Sequence, residues 1–208
     1  MFQCSSCGKQ YVKSEGRCVC TNQWGTIVEV PDPSPLQSTK HIELQNIVPQ
    51  ELSAIDANNA SRTETTMPEM DRVLGGGLVA GSVTLLGGEP GIGKSTLTLQ
   101  IANNIAKNRK VLLISGEESI DQIAQRATRL KLKEKNLEAI NEHNLETILE
   151  TIKVSNTDFA IIDSIQVISS LDIPSQAGSV SQVRYCTEQI MELAKRKNIP
   201  IIIICIII

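Results

Sequence analysis

The sequence predicts an α/β protein, a mainly parallel sheet flanked by helices and preceded by a small cysteine-bearing module. Three observations predict it. Short apolar runs at 83–86, 111–114, 159–162 and 201–208 alternate with segments of helical period, the pattern of a doubly wound sheet covered on both faces. The first run leads into Gly88-x-x-x-x-Gly93-Lys94-Ser95 and then a helical pattern from Thr96 to Lys107. That strand–loop–helix context is what a phosphate-binding loop requires. Finally, Cys4-x-x-Cys7 and Cys18-x-Cys20 crowd the first 20 residues, in a spacing that resembles metal ligation.

The 208 residues suffice for one substantial domain and a small module. The expected division is a cysteine module over 1–30, a linker over 31–50 and an ATPase-type domain over 51–208. A net charge of −3 leaves no global nucleic-acid footprint, so any DNA contact must be local. Phe2, Tyr11, Trp24, Phe159 and Tyr185 are too few for a base-stacking platform. The start has no basic or apolar leader region, and no apolar run approaches the roughly 20 residues of a membrane span. With the cysteine spacing, this reads as a reducing, cytoplasmic setting without membrane contact.

Residues 1–30 are too few to fold by apolar burial alone, and a Zn²⁺ site would supply the missing free energy. The expected ligands are Cys4, Cys7, Cys18 and Cys20, with Gly8 and Gly16 as turn residues and Trp24 packed against the site. Cys18-x-Cys20 is tighter than the usual pair, and side chains one residue apart on extended backbone point to opposite sides. A weakened site, a redox pair or a disulfide is therefore the alternative. Three prolines in Pro31-Asp-Pro-Ser-Pro35 mark the linker, where His41 reads as a solvated residue.

In the larger domain, Arg62–Thr65 reads as extended. Met67–Leu74 reads as a short helix stopped at Gly75-Gly76-Gly77. After the phosphate loop, Leu97, Ile101, Ala102 and Ile105 mark a buried helix face. Val111–Ile114 ends in Ser115-Gly116-Glu117-Glu118-Ser119. Ile120, Ile123, Ala124, Ala127 and Leu130 then mark another helix, whose Arg126, Arg129 and Lys131 read by default as a solvated face. Leu137–Ile148 reads as strand, turn and helix. Residues 169–182 read as a polar loop before a helix with a basic last turn, Lys195-Arg196-Lys197.

Three features meet at the carboxyl ends of strands, where such sheets bind ligands. Gly88, Glu89, Pro90, Gly91, Ile92, Gly93, Lys94, Ser95 and Thr96 form the nucleotide-binding loop. Its glycines let backbone N–H groups face an anion. Lys94 is the residue for the β- and γ-phosphates, and Ser95 with Asp163 is the expected Mg²⁺ pair. Glu118 or Glu117 is placed to orient or deprotonate an attacking water, so the expected substrate is ATP. Gln166 reads equally as a γ-phosphate sensor or a packing residue.

Taken together, the motifs are specific. The amino-terminal cysteines, Asp71–Val79, Gly88–Thr96, Ser115–Ser119, Ile162–Gln166 and Gly178–Arg184 resemble the RadA (Sms) family of bacterial DNA repair proteins, relatives of RecA and of DnaB-type helicases. The resemblance implies a RecA-like P-loop ATPase core and a zinc finger. It also implies a homo-oligomeric ring, a hexamer, that works on single-stranded and branched DNA beside a RecA-type recombinase and drives branch migration. The loop at 169–184 would face the ring channel, with Arg184 a DNA contact. Two departures stand out. Thr21 occupies the position of the family's last cysteine, with Cys20 one residue early. The family's Lys-Asn-Arg-Phe-Gly motif and Lon-protease-like domain would follow the last strand, so the chain reads as truncated or frameshifted. The competing readings are a nucleotide-binding fragment with little turnover and a signalling ATPase of the circadian-clock type, against which the cysteine cluster argues.

Overall fold

The computed structural model describes residues 2–13, 16–29, 51, 53 and 62–207. The linker expected over 31–50, with His41, lies outside them. The chain divides into two compact units, Met1–Ala54 and Ile55–Ile208.

The first unit is a three-stranded antiparallel sheet. Strand β1 (Phe2–Cys4) lies between β2 (Gln10–Tyr11) and β3 (Ile27–Glu29). Its buried hydrophobic residues are Cys4 and Cys18 alone among those described. Apolar burial on this scale does not hold a fold, so the interior of the unit is its sulfur cluster. Trp24, expected against the cysteines, is 74% exposed. Its ring lies instead against Gly16, where an added Cβ would sit 2.9 Å from it, and 5.9 Å from the Arg17 guanidinium carbon. Arg17 and Trp24 face one another across an antiparallel bridge, which accounts for the stacking.

The second unit opens with β4 (Arg62–Thr63), which pairs antiparallel with β5 (Leu78–Val79) around a short helix α1 (Pro68–Val73). Arg62 closes this arm by donating to the carbonyls of Leu74 and Gly77 at 2.9 and 3.0 Å. There follow β6 (Val83–Gly88), α2 (Lys94–Ile105), β7 (Val111–Ser115), α3 (Ile120–Arg129) and β8 (Leu137–Asn141). The chain continues through α4 (Leu145–Val154), β9 (Phe159–Asp163), a 3₁₀ turn (Ile165–Val167), α5 (Val180–Lys197) and β10 (Ile201–Ile206). Strands β6 to β10 form one parallel sheet in the order β6-β10-β9-β7-β8.

The monotonous isoleucine run becomes intelligible in this order. Strand β10 sits between β6 and β9, and successive side chains leave opposite faces of a strand. Ile201 and Ile203 join Leu112, Ile114, Ala160 and Ile162 beneath α4 and α5. Ile202 and Ile204 join Leu113, Ile161 and Phe159 beneath α2. A strand covered on both faces has no polar side, so one β-branched residue serves at each position from Ile201 to Ile204. Strand β6, by contrast, has β10 as its sole partner among the described residues, and its Leu85 is 63% exposed.

Candidate functional site

Helix α2 begins two residues earlier than its periodicity predicts, at Lys94, because Gly93 holds φ +104° at the cap, a left-handed turn that favours glycine. The first-turn N–H groups and the helix dipole therefore open at the phosphate loop. The Lys94 ammonium bridges two loop carbonyls, donating to Gly88 at 2.6 Å and Glu89 at 2.7 Å. A cavity of about 380 Å³ opens here, lined by Lys94, Ser95 and Thr96 and by Glu117, Glu118 and Asp163 from the ends of β7 and β9. The loop, the two glutamates and the aspartate, far apart in sequence, thus border one cavity.

Each acid is held differently. Asp163 is half-buried, and burial first, then the nearby Glu117 and Glu118, raise its pKa while the Ser95 hydroxyl opposes the shift. A carboxylate and a hydroxyl that reach one another, with room for water, suit Mg²⁺, and a cation between them would offset the repulsion. Glu117 accepts from the Ser164 hydroxyl at 2.6 Å. Glu118 is paired with Arg126, and its backbone carbonyl accepts from the Asn141 side chain at 2.8 Å. Gly116 precedes the two glutamates because a Cβ there would lie 2.3 Å from Val167, so the strand end passes close under the 3₁₀ turn.

Arg126 and Arg129 line the same cavity. The default of a solvated face fails for Arg126, which is half-buried against Glu118, and holds for Arg129, which stays exposed at the cavity's edge. The available signal is the capping box at Ser119 and Gln122, which sets the phase of α3, so that residues two turns on face the loop. Gln166 donates to the Ile206 carbonyl at 2.9 Å, and its side-chain oxygen is buried without a partner. It ties β10 to the turn after β9.

Helix α5 starts at Val180, capped by Ser179, whose Oγ accepts from the Gln182 N–H at 3.4 Å. The loop expected to run to 184 is therefore shorter, and Arg184 is helical. Its side chain is 78% exposed and pairs with Glu188 at 3.0 Å, a surface contact too weak to immobilise it. Gln182, read as loop, is buried and its amide nitrogen lies within 3.0 Å of the Ser170, Ile173 and Ser175 carbonyls. That satisfaction is why a polar residue is tolerated inside.

In the first unit the sulfurs of Cys4, Cys7 and Cys18 all lie within 4.8 Å of one another. Cys7 and Cys18 are 3.5 Å apart. The Tyr11 hydroxyl donates to Cys18 at 3.2 Å. That bond first, with further contacts from Thr21 and the Cys20 backbone, draws the Cys18 thiol down to about 5. Cys20, expected as the fourth ligand, is exposed and stands outside this group. It occupies a turn from which its side chain points to solvent rather than toward the sulfurs.

A family model described as "ATPase: KaiC" matches residues 63–145. The chain is 46% identical to the DNA repair protein RadA of Listeria monocytogenes over 98% of its own length and 45% of that protein. It is 41% identical to the RadA of Bacillus subtilis and 43% to that of Aquifex aeolicus, again over 98% of this chain and 45% of each relative. Among solved structures, that of the RadB recombinase superposes with a TM-score of 0.52 at 22% identity, covering 69% of this chain and 70% of that one. The likeness is one of fold, a RecA-like P-loop core. The resemblance to the RadA family of DNA repair proteins is thus borne out over 98% of this chain, which spans about 45% of the length of these relatives.

Proposed function

We propose that the chain binds and hydrolyses ATP, and that turnover drives DNA translocation and branch migration of recombination intermediates. The observation that carries the hydrolytic reading is the convergence of Lys94, Ser95, Asp163 and the Glu117–Glu118 pair on one cavity. The DNA repair role rests on similarity to the RadA proteins. Lys94 and the amino end of α2 bind the triphosphate. Ser95 and Asp163 hold Mg²⁺, which supplies charge neutralisation at the phosphates when bound. One of the two glutamates orients the attacking water and takes its proton. Glu117 is tied by a single neutral hydroxyl, whereas Glu118 must first leave Arg126.

The reading assigns residues 1–30 to a metal-binding module, 31–50 to a linker and 51–208 to the ATPase domain. Single-stranded and branched DNA, a RecA-type recombinase and further copies of the chain in a hexameric ring are the partners, in the cytoplasm, with Arg184 as a DNA contact.

The test is steady-state ATP hydrolysis with and without single-stranded DNA. Glu117→Gln and Glu118→Gln are compared under saturating Mg²⁺. The residue that orients water loses roughly 10²–10⁴-fold in kcat with ATP still bound, and the other loses far less. Equal, small effects from both substitutions exclude a glutamate base at this strand end. Turnover indifferent to DNA counts against the translocation role.

A second reading, nucleotide binding with little or no turnover by this chain alone, is favoured by the exposed Leu85 on β6, whose one sheet partner among the described residues is β10. It predicts stoichiometric ATP binding with negligible hydrolysis whether or not DNA is added.

A further inference from the structure

The two loops of the cysteine unit repeat one hydrogen-bond pattern. In the first, the Cys4 N–H donates to the Lys9 carbonyl and the Gly8 N–H to the Cys4 carbonyl, both at 2.9 Å. In the second, the Cys18 N–H donates to the Gln23 carbonyl at 3.0 Å and the Asn22 N–H to the Cys18 carbonyl at 2.8 Å. Gly8 and Asn22 both take the left-handed conformation, φ +73° and +57°. The backbone equivalence is complete: Cys4 matches Cys18, Gly8 matches Asn22, and Lys9 matches Gln23. The residues between then match in order, so that Ser6 corresponds to Cys20 and Cys7 to Thr21.

We propose that this unit binds a divalent, thiophilic metal ion through three thiolates, Cys4, Cys7 and Cys18, with Thr21 at the fourth corner, so that an oxygen donor and not Cys20 completes the site. This rests on the reading of residues 1–30 as a metal module, and the ATPase reading stands apart from it. The sulfur separations fit, since tetrahedral Zn–S bonds of about 2.3 Å put sulfurs about 3.8 Å apart, and Cys7 and Cys18 lie at 3.5 Å. The Thr21 side-chain oxygen is buried and, among the described residues, lacks a hydrogen-bond partner, an arrangement that costs free energy unless a ligand meets it. Cys20, like Ser6, is exposed at the outer tip of its loop. Three thiolates leave a divalent ion with one negative charge fewer than four would. The ion is held less tightly, and its oxygen-bound position is the exchangeable one.

Cobalt(II) is the probe, titrated anaerobically into the whole chain with a reductant present. The sulfur-to-metal charge-transfer absorbance per bound ion counts the thiolates. The wild-type chain is expected to give the intensity of three Co–S bonds, and Cys20→Ser to leave spectrum and affinity unchanged. Thr21→Cys is expected to raise the intensity by about one third. It should also tighten binding against a chelator by more than the roughly tenfold that a residue behind the ligands is worth. A wild-type chain that fails to bind cobalt overturns the proposal. So does a loss of charge-transfer intensity in Cys20→Ser, or a Thr21→Cys spectrum like the wild type's. If Thr21→Cys does not fold, the wild-type and Cys20→Ser spectra alone still count the thiolates and exclude or include Cys20.

Discussion

Lys94→Ala is expected to lower ATP turnover by on the order of 10²–10³-fold, the scale of losing one preorganised charge aimed at a transition state. The ammonium bridges the Gly88 and Glu89 carbonyls, so it already stands inside the loop that the phosphates would enter. A triphosphate offers it stronger acceptors than those two carbonyls, and the exchange leaves the loop geometry in place. Arg126 and Arg129 remain on the far wall of the cavity. Arg126, however, is engaged by Glu118 and makes a poor substitute. Because Lys94 contributes nothing to the buried clusters, the unfolding free energy should move by no more than about 0.5 kcal/mol. Turnover by coupled assay and unfolding by circular dichroism check both halves. Retained turnover with an intact fold excludes the phosphate loop as the seat of hydrolysis.

Ile203→Ala is expected to have the largest effect on stability, about 2–5 kcal/mol. Ile203 has no exposed surface. It lies on the central strand β10, in the cluster with Ile114, Ile162 and Ile190. Truncation leaves a cavity that neighbouring strands, hydrogen-bonded on both sides of β10, cannot close by shifting. The matched control is Leu85→Ala on β6, where the side chain is mostly in water and the expected change is within about 0.5 kcal/mol. Urea denaturation of the two variants compares them directly. Equal losses would mean that β6 is covered in solution by something that this arrangement lacks.

The elements of the larger unit were largely legible because β7, β9 and β10 announce themselves by unbroken apolar runs. The run at 201–206 reads as a central strand, and a central strand it is. Strand order was not legible, since nothing in a run of isoleucines says that β10 lies between β6 and β9. The candidate site was legible where a motif carries its own geometry, as in Gly88–Ser95. Where direction depends on a turn, linear spacing misleads. Cys20 lies two residues from Cys18, yet the repeated loop pattern turns Thr21 inward instead. Charge misleads in a second way. Arg126 sits on a helix whose other charges are solvated, and only the packing of α3 against the ends of the strands brings it to the cavity. Gln182 is the converse case, a polar residue drawn inside by three carbonyls that needed donors.

The position of β6 in the sheet bears on the order in which the protein can be made. Its one sheet neighbour among the described residues is β10, which follows β7, β8 and β9 in the sequence. On a ribosome, β7, β8 and β9 can pair with one another as soon as they emerge. The strand that carries the phosphate loop must wait until Ile201–Ile206 has been synthesised and inserted beside β9. Contacts between such distant segments form slowly, because a long loop must close first. Nucleotide binding should therefore not precede the synthesis of Ile201–Ile206, and nascent chains lacking β10 would hold the Gly88–Ser95 motif without a sheet to present it.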